Sequence, residues 1–314
     1  MINSLTTAKQ LDKKTISKIF TSADKVKSKR FNKNLLQGKL MATLFYEPST
    51  RTRLSFESAM QKLGGNVITT ENAAEFSSAI KGETLEDTIR VVQSFADVIV
   101  LRHFAEGASE IAAEYSKVPI INAGDGRGEH PTQALLDLYT IFSKFPSVGT
   151  KKIRIAMVGD LANGRTVHSL SYLLTLFNQI ELIYISPKAL SIPESLREFL
   201  KDKKMQFTQS EKLDDALKIA DVIYQTRIQK ERFVSSGDGA YSESEYLHYF
   251  GKYVIDKKTL VKIKKSAVIM HPLPRVNEIS PEIDSDPRAI YFEQVQNGLY
   301  IRMALLIYLF DKKS

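Results

Sequence analysis

The sequence predicts an α/β protein of two doubly wound domains with parallel sheets, joined by interdomain helices. Short apolar runs alternate with longer segments of helical period along the chain, which is typical of parallel strands linked by crossover helices. The 314 residues exceed one average domain and suit two. The segment from Lys144 to Gly149 contains a proline and a glycine, and it separates the runs into two sets.

The first set of runs predicts one parallel sheet. Its predicted strands are residues 40–46, 66–70, 97–101 and 118–122. Between the second and third strands, Leu85, Ile89 and Val92 recur at helical spacing, which indicates an amphipathic helix. A further predicted helix over residues 132–143 leads out of this set.

The second set predicts another sheet and a closing helix. Its predicted strands are residues 153–158, 181–185, 206–208, 221–225 and 267–270, with helices at 166–177, 193–200 and 213–220. Residues 291–310 form a long apolar helical pattern with no strand behind it. We therefore expect one domain at 1–144, with the C-terminal helix 291–314 packing back on it, and another at 150–290.

Composition excludes several kinds of chemistry. The chain has no cysteine, which rules out disulfides, thiol nucleophiles, iron–sulfur clusters and cysteine-ligated zinc. Its net charge of +8 suits nucleic acid, an anionic membrane or small anionic substrates. Lysine pairs such as Lys13-Lys14 are scattered, however, and no run of about five to eight basic residues occurs. We therefore expect a solvated lysine surface and no nucleic-acid partner.

Targeting signals are not apparent in the sequence. The amino-terminal residues lack the apolar core of a signal peptide, and nowhere do about 18 apolar residues run together. The expected location is cytoplasmic, with no membrane partner.

Polar clusters follow the predicted strands. In open α/β sheets, ligands bind beyond the carboxyl ends of the strands. The segments that follow the strands are 47–53, 102–103 and 124–130 in the first domain, and 159–165, 226–229 and 271–275 in the second. They hold nearly all the unusual polar residues, which predicts a catalytic cleft at these strand ends.

The cluster Ser49-Thr50-Arg51-Thr52-Arg53 favours a phosphate site. It follows an apolar strand and begins a helix, where free N–H groups and the helix dipole stabilise an anion. Hydroxyls and guanidinium groups at the same place add hydrogen-bond donors. The alternative is a capped helix with surface arginines, but two arginines at a helix start oppose the dipole unless an anion is present.

The remaining clusters favour other roles. The 159–165 loop lacks the spacing of a dinucleotide site, so Arg165 is a candidate for holding a carboxylate. His130 can donate to a carbonyl oxygen, with Gln133 one turn along, or it can simply cap a helix. The two prolines of 271–275 leave carbonyls without local partners, which can accept from a substrate amide or serve only a turn.

The other histidines, His103, His168 and His248, show no metal-ligand spacing. His168 is expected to be a packing residue, and neither a metal nor a cofactor is expected.

The motifs together resemble a known family. The segment FYEPSTRTRLSFE at 45–57 closely resembles the carbamoyl-phosphate signature of the carbamoyltransferases. Further motifs follow in the family's order: KGET at 81–84, RH at 102–103, HPTQ at 130–133, GRT at 164–166, TRIQ at 226–229 and HPLPR at 271–275. Along nearly its whole length the chain is thus similar to the aspartate/ornithine carbamoyltransferase family.

The resemblance implies a reaction and a set of roles. The carbamoyl group of carbamoyl phosphate passes to the α-amine of L-aspartate, giving N-carbamoyl-L-aspartate and phosphate, in pyrimidine synthesis. The implied phosphate ligands are Ser49, Thr50, Arg51, Thr52 and Arg102, and the implied groups that polarise the carbonyl are Thr52, Arg102 and His130. The implied ligands of the carbamoyl amide are Gln133 and the backbone of Leu273 and Pro274. The implied aspartate ligands are Arg165, Arg227 and Gln229.

The resemblance also implies shared active sites. Ser77 and Lys81 would reach into a neighbouring subunit's site, with Lys81 contacting both substrates and taking part in catalysis, which implies a homotrimer. Regulatory chains are compatible with the family.

Two rival functions and one departure complete the prediction. An ornithine carbamoyltransferase typically carries Cys in its last motif, whereas this chain has Arg275 there and adds Arg165 and Arg227, which favours a dicarboxylate acceptor. A basic nucleic-acid-binding protein would need clustered surface charge. The segment 233–250 is longer and more polar than the family's mobile loop, and we expect it to fold over bound aspartate.

Overall fold

The computed structural model describes residues 2–71, 82–229, 246, 247 and 249–311. Ser77, Lys81 and most of the 233–250 segment lie outside the described residues. The chain divides into two compact units, the first made of Met1–Tyr139 with Gln296–Ser314 and the second of Thr140–Val295.

All nine predicted strands are present. They are β1 Leu40–Phe45, β2 Asn66–Glu71, β3 Val98–His103, β4 Ile120–Asp125, β5 Ile153–Val158, β6 Ile180–Ile185, β7 Gln206–Ser210, β8 Val222–Gln225 and β9 Val268–Met270. Parallel strands covered on both faces are rich in apolar residues, which is why the pattern located them. β4 extends past its predicted end. The apolar pattern missed this part because the strand contains the polar Asn122 and Asp125, which are buried.

The predicted helices are present, and further helices accompany them. They are α1 Lys13–Lys27, α2 Thr50–Lys62, α3 Leu85–Val92, α4 Ala108–Tyr115, α5 Pro131–Lys144, α6 Arg165–Leu174, α7 Glu194–Asp202, α8 Asp214–Leu217, α9 Lys257–Leu260 and α10 Tyr291–Phe310. α1, α4 and α9 were not predicted, and α6 and α8 are shorter than predicted. The chain passes from the first unit to the second within α5 and returns within α10.

Each unit contains one wholly parallel sheet. The order is β2-β1-β3-β4 in the first unit and β7-β6-β5-β8-β9 in the second. The chain reverses its direction of winding at β1 and β3 in the first sheet, and at β5 and β8 in the second. Open α/β sheets bind ligands at such switch points. Four of the six predicted polar clusters follow these strands, and the clusters at 124–130 and 271–275 follow β4 and β9.

Apolar side chains secure each sheet. In the first unit, Ala42 and Leu44 of β1 and Ile99 of β3 pack with Ile89 and Ala112 of the covering helices. In the second, a buried cluster of the same kind joins β5, β6, β8 and β9 to the helices beside them. Burying one such aliphatic side chain contributes about 1.5–3 kcal/mol to folding stability. The packed core therefore holds the strand ends in fixed positions.

Within the part of the chain that the structure describes, no helix is both long and apolar enough to cross a membrane.

Candidate active site

The first cluster lies at the amino terminus of α2. Ser49 occupies the N-cap position, yet its hydroxyl makes no capping hydrogen bond, although Ser is among the residues best suited to that role. Its carbonyl accepts from the Arg53 N–H at 3.0 Å, so the helix starts immediately after it. Thr50 and Arg51 are exposed and Thr52 is buried. The first turn therefore offers hydroxyls and the positive end of the helix dipole to an anion.

One arginine of this cluster, Arg53, has a carboxylate partner. Arg53 Nη1 lies 3.3 Å from Thr69 Oγ1 and 3.7 Å from Glu57 Oε1. Its charge is therefore neutralised within the unit. The sequence argument that both arginines need an anion is wrong for Arg53, because the carboxylate one turn along supplies it.

Arg102 connects the ends of three strands. Its side chain is 12% exposed, with Nη2 3.3 Å from Glu47 Oε2 and Nη1 donating to the Ala123 carbonyl at 3.2 Å. The Arg102 carbonyl accepts from the Tyr46 N–H at 2.9 Å. These contacts join the loops after β1 and β3 to the end of β4, so the first cluster and Arg102 lie together.

The loop before His130 is held by two carboxylates that sequence analysis missed. Asp125 accepts from the Glu129 N–H at 2.8 Å and from the Gly107 N–H at 2.9 Å, and Glu129 accepts from the Ala8 N–H at 2.6 Å. Gly126 has φ +42°, and a Cβ there would lie 2.5 Å from the Phe104 carbonyl oxygen. Only glycine fits this approach.

His130 is buried at the start of α5. Its carbonyl accepts from the N–H groups of Gln133 and Ala134, at 3.0 and 3.1 Å. α5 therefore starts directly after His130. Gln133 is also buried, one turn into the same helix.

The second unit brings the loops after β5 and β8 together. Gly159 has φ +119°, and a Cβ there would lie 2.4 Å from the Thr226 carbonyl oxygen. Gln229 Nε2 donates to the Asn163 carbonyl at 3.4 Å. Arg165 begins α6, and both Arg165 and Gln229 are half-buried.

The turn after β9 is built on a neutral histidine. His271 Nδ1 accepts from the Leu273 N–H at 2.7 Å, so the proton is on Nε2, which donates to Glu278 Oε1 at 2.7 Å. Burial lowers the pKa of the His271 imidazole; its bond to Glu278 opposes that shift, and the charges of Arg275 and Arg227 add to the lowering. Arg227, in the loop after β8, is half-buried.

The same turn shapes the backbone at Leu273. Leu273 has φ +53°, a left-handed conformation that costs a non-glycine residue free energy, and the Leu273–Pro274 peptide is cis. Glu278 Oε2 accepts from the N–H groups of Val276 and Asn277, at 3.2 and 3.1 Å. The buried pair of His271 and Glu278 therefore fixes the backbone from Leu273 onward.

Arg275 has a structural partner. Both its Nη atoms hydrogen-bond the Asp284 carboxylate, and its guanidinium lies 5.3 Å from the Tyr291 ring centroid. The bond to Asp284 raises the pKa of Arg275. The use of Arg275 as an argument for a dicarboxylate acceptor is therefore wrong, since its charge is already paired.

The other histidines are packing residues where they are described. His168 is buried, with Nε2 2.7 Å from the Leu161 carbonyl oxygen, and His103 Nδ1 accepts from the Ala105 N–H at 3.0 Å. His248 lies outside the described residues. Among the described residues, no group of three His, Asp or Glu side chains could hold a metal ion.

The net charge is concentrated away from these clusters in the sequence. Residues 9–39 contain ten lysine or arginine residues and two aspartates, so this segment carries the whole excess of +8 and the rest of the chain is balanced. α1 buries Ile16, Ile19 and Phe20, which leaves its lysines on the exposed face. The overall charge therefore carries no information about the ligand of the polar clusters.

Two doubly wound units with hydrogen-bond donors at their strand ends are typical of enzymes that bind small anions. Comparison with known proteins identifies the family. Residues 3–143 match the family model "Aspartate/ornithine carbamoyltransferase, carbamoyl-P binding domain". Residues 151–309 match "Aspartate/ornithine carbamoyltransferase, Asp/Orn binding domain". The chain belongs to the aspartate/ornithine carbamoyltransferase family.

Individual relatives are similar to this chain along nearly its whole length. Chloroplastic aspartate carbamoyltransferase of Arabidopsis thaliana is 52% identical over 301 residues, covering 95% of this chain and 75% of the relative. The catalytic subunit of Methanocaldococcus jannaschii aspartate transcarbamoylase superposes with a TM-score of 0.88 at 48% identity, covering 99% of both chains. Trypanosoma cruzi aspartate transcarbamoylase, solved with carbamoyl phosphate and aspartate, gives a TM-score of 0.86 at 41% identity and covers 97% of this chain and 95% of its own.

Proposed function

We infer that this chain transfers the carbamoyl group of carbamoyl phosphate to the α-amine of L-aspartate. The products are N-carbamoyl-L-aspartate and phosphate, a step of pyrimidine biosynthesis. Family membership supports the carbamoyl donor, and relatives of about half-identical sequence that act on aspartate support the acceptor. The observation that carries the inference is the start of α2, where the N-cap hydroxyl of Ser49 makes no capping bond and Thr50 and Arg51 are exposed.

We propose that the first unit binds the phosphate. Ser49, Thr50, Arg51 and Thr52 would donate to its oxygens, joined by Arg102 from the end of β3. A phosphate accepts several hydrogen bonds at once, which suits a helix start with several donors. The contacts of Arg102 with Glu47 and Ala123 support this role because they hold its guanidinium beside the loop that leads to α2.

The carbonyl oxygen of the carbamoyl group would be held by Thr52, Arg102 and His130. As the α-amine attacks, negative charge develops on that oxygen, and fixed donors stabilise it more in the transition state than in the ground state. The new C–N bond forms, the C–O bond to phosphate breaks, and the departing phosphate takes the proton of the amine. Correct positioning of amine and carbonyl supplies much of the remaining rate.

The amide and the acceptor would be held by other groups. Gln133 and the carbonyls of Leu273 and Pro274 would accept from the carbamoyl –NH₂ group. The fixed backbone of the 271–278 turn supports this role. Aspartate would be bound by Arg165, Arg227 and Gln229, because a guanidinium matches a carboxylate bidentately.

The domain assignment and assembly are further parts of the proposal. Residues 1–144, with 291–314, would bind carbamoyl phosphate, and residues 150–290 would bind aspartate. The active form would be a cytoplasmic homotrimer in which Ser77 and Lys81 complete a neighbouring subunit's site, with Lys81 contacting both substrates. Regulatory chains would be an addition to this trimer. Light scattering after size exclusion tests the assembly, and a monomer with full activity would overturn it.

The function is tested by acceptor choice. Purified protein is assayed for phosphate release from carbamoyl phosphate with aspartate or with ornithine. Activity with aspartate at least about 100-fold above that with ornithine is expected, because a site built from guanidinium groups attracts a dicarboxylate and repels a cationic amine. Preference for ornithine, or no turnover with either amine, would overturn the inference.

A further inference from the structure

Arg302 is a buried charge that the proposed mechanism does not use. It lies in the apolar second half of α10, residues 299–310, and is 4% exposed. Burial lowers the pKa of its guanidinium to about 10, and the attraction of the Asp137 carboxylate opposes that shift. Arg302 therefore stays charged at neutral pH. A buried charge is costly unless another group compensates it, so its presence calls for a physical reason.

Asp137 is the acidic counterpart, and it holds a proposed site residue. Asp137 is fully buried in α5. Its Oδ1 accepts from Gln133 Nε2 at 2.9 Å, one turn back along the same helix. A carboxylate only accepts hydrogen bonds, so the atom of the Gln133 amide facing it must be the nitrogen. The Gln133 oxygen is therefore turned away from Asp137.

The orientation of the Gln133 amide matters for the carbamoyl group. The –NH₂ of that group donates hydrogen bonds and cannot be held by another –NH₂. With Nε2 engaged by Asp137, Gln133 presents Oε1 as an acceptor. A flipped amide would instead set two donors against each other.

Packing of α10 supports the same arrangement. Arg302 lies 5.1 Å from the ring centroid of Phe56, which belongs to α2, the helix with the proposed phosphate ligands. A Cβ at Gly298 would lie 2.8 Å from Arg302 Nη1 and 3.1 Å from Leu136 Cδ2. Glycine inside a helix costs about 0.5–1 kcal/mol relative to alanine. Here its missing side chain leaves room for the guanidinium.

We propose that Asp137, with Arg302 as its buried counter-charge, is a positioning residue that fixes the Gln133 amide so that its oxygen accepts from the carbamoyl –NH₂ of the substrate. This proposal rests on the proposed function. It makes Asp137 and Arg302 responsible for the selectivity of the site for the carbamoyl group. The pair acts on substrate only through Gln133. It would make the site distinguish carbamoyl phosphate from an acyl phosphate that carries a methyl group in place of the amine.

The test is Asp137→Asn, measured with carbamoyl phosphate and with acetyl phosphate as a competing ligand. Arg302 attracts the Asn oxygen, which leaves its –NH₂ facing Gln133 and turns that amide around. We expect the KM for carbamoyl phosphate to rise about tenfold or more, the effect of one lost hydrogen bond of about 1.4 kcal/mol. The inhibition constant of acetyl phosphate should stay within about twofold, because it has no N–H to lose.

Three further variants separate positioning from general damage. In a Gln133→Met background, Asp137→Asn should produce no additional loss of discrimination, because the residue it acts through is gone. Tyr139→Phe is the matched control, since it removes a hydrogen bond from the same helix to Asp24, 2.7 Å long, and should leave discrimination unchanged. Gly298→Ala displaces Arg302 without touching Asp137, and it should reduce discrimination in the same direction.

The outcomes are distinct. Equal weakening of both acyl phosphates in Asp137→Asn, or an undiminished effect in the Gln133→Met background, would overturn the positioning role. Failure of the parent protein to use carbamoyl phosphate with aspartate would overturn the proposed function instead.

Discussion

α2 and α6 occupy the same place in the two units, but their amino termini carry different groups. Each follows the strand at which its sheet reverses winding, β1 in the first unit and β5 in the second. α2 begins with Ser49, Thr50, Arg51 and Thr52, whereas α6 follows Gly164 and begins with Arg165. The first suits an anion with many oxygens, and the second suits a planar carboxylate. One architecture used twice thus presents two different sets of anion-binding groups through the residues of a single helix turn.

The two units also differ in what holds their loops. In the first unit, buried or partly buried carboxylates accept from backbone N–H groups, as Asp125 and Glu129 do. In the second, the hydrogen bond from neutral His271 to the Glu278 carboxylate fixes a turn. Both units also use a glycine where two backbones approach closely, Gly126 in the first and Gly159 in the second. Substitutions can test whether each half serves its own substrate.

The largest expected effect separates the two arginines of α2. Arg51→Ala should lower kcat/KM for carbamoyl phosphate about 10²–10³-fold, because it removes a charged donor to the phosphate. Arg53→Ala is the matched control two residues away. Its charge is paired with Glu57, so the loss should be below about tenfold. Steady-state kinetics at saturating aspartate measures both.

A parent-like rate for Arg51→Ala, or equal losses in the two variants, would contradict the assignment of α2 to the phosphate.

A smaller effect is expected in the second unit. Arg227→Ala should raise the KM for aspartate about ten- to a hundredfold by removing a charge-assisted hydrogen bond, and change the KM for carbamoyl phosphate little. Arg154→Ala is the control, since that arginine lies on β5 and donates to Glu181 at 3.0 Å. Bisubstrate kinetics separates the two constants. If Arg227→Ala affected carbamoyl phosphate more than aspartate, the division of labour between the units would be wrong.

Much of this comparison could be predicted from the sequence, for identifiable reasons. Continuous apolar runs located the buried parallel strands, and the switch-point rule then directed attention to the loops that follow them. β7 is different, because this edge strand reads QFTQS and is largely exposed. Motif resemblance supplied the family, which the comparisons confirm. Roles of individual site residues stay predictions until the variants above are measured.

Long-range pairing could not be predicted from the sequence. Ala8 and Glu129 meet across more than a hundred residues, as do Phe56 and Arg302, and no local pattern links either pair. Hydrophobic periodicity also does not single out Arg302 among the apolar residues around it. Net charge is uninformative for a similar reason, because a sum over the chain does not show that residues 9–39 hold the whole excess.

The smallest expected effect concerns stability of the second unit as a function of pH. Burial lowers the pKa of His168 below its usual value of 6.5, although its bond to the Leu161 carbonyl opposes the shift. The unfolded chain therefore takes up a proton at a higher pH than the folded one, and stability falls as the pH drops below about 6.5. His168→Gln keeps a donor for Leu161 without titrating, so it should reduce this loss by about 1 kcal/mol between pH 7.5 and 5.5. Urea midpoints followed by circular dichroism measure the difference. An identical pH dependence in parent and variant would mean that His168 contributes nothing, and the loss would then belong to His271, whose pKa burial also lowers.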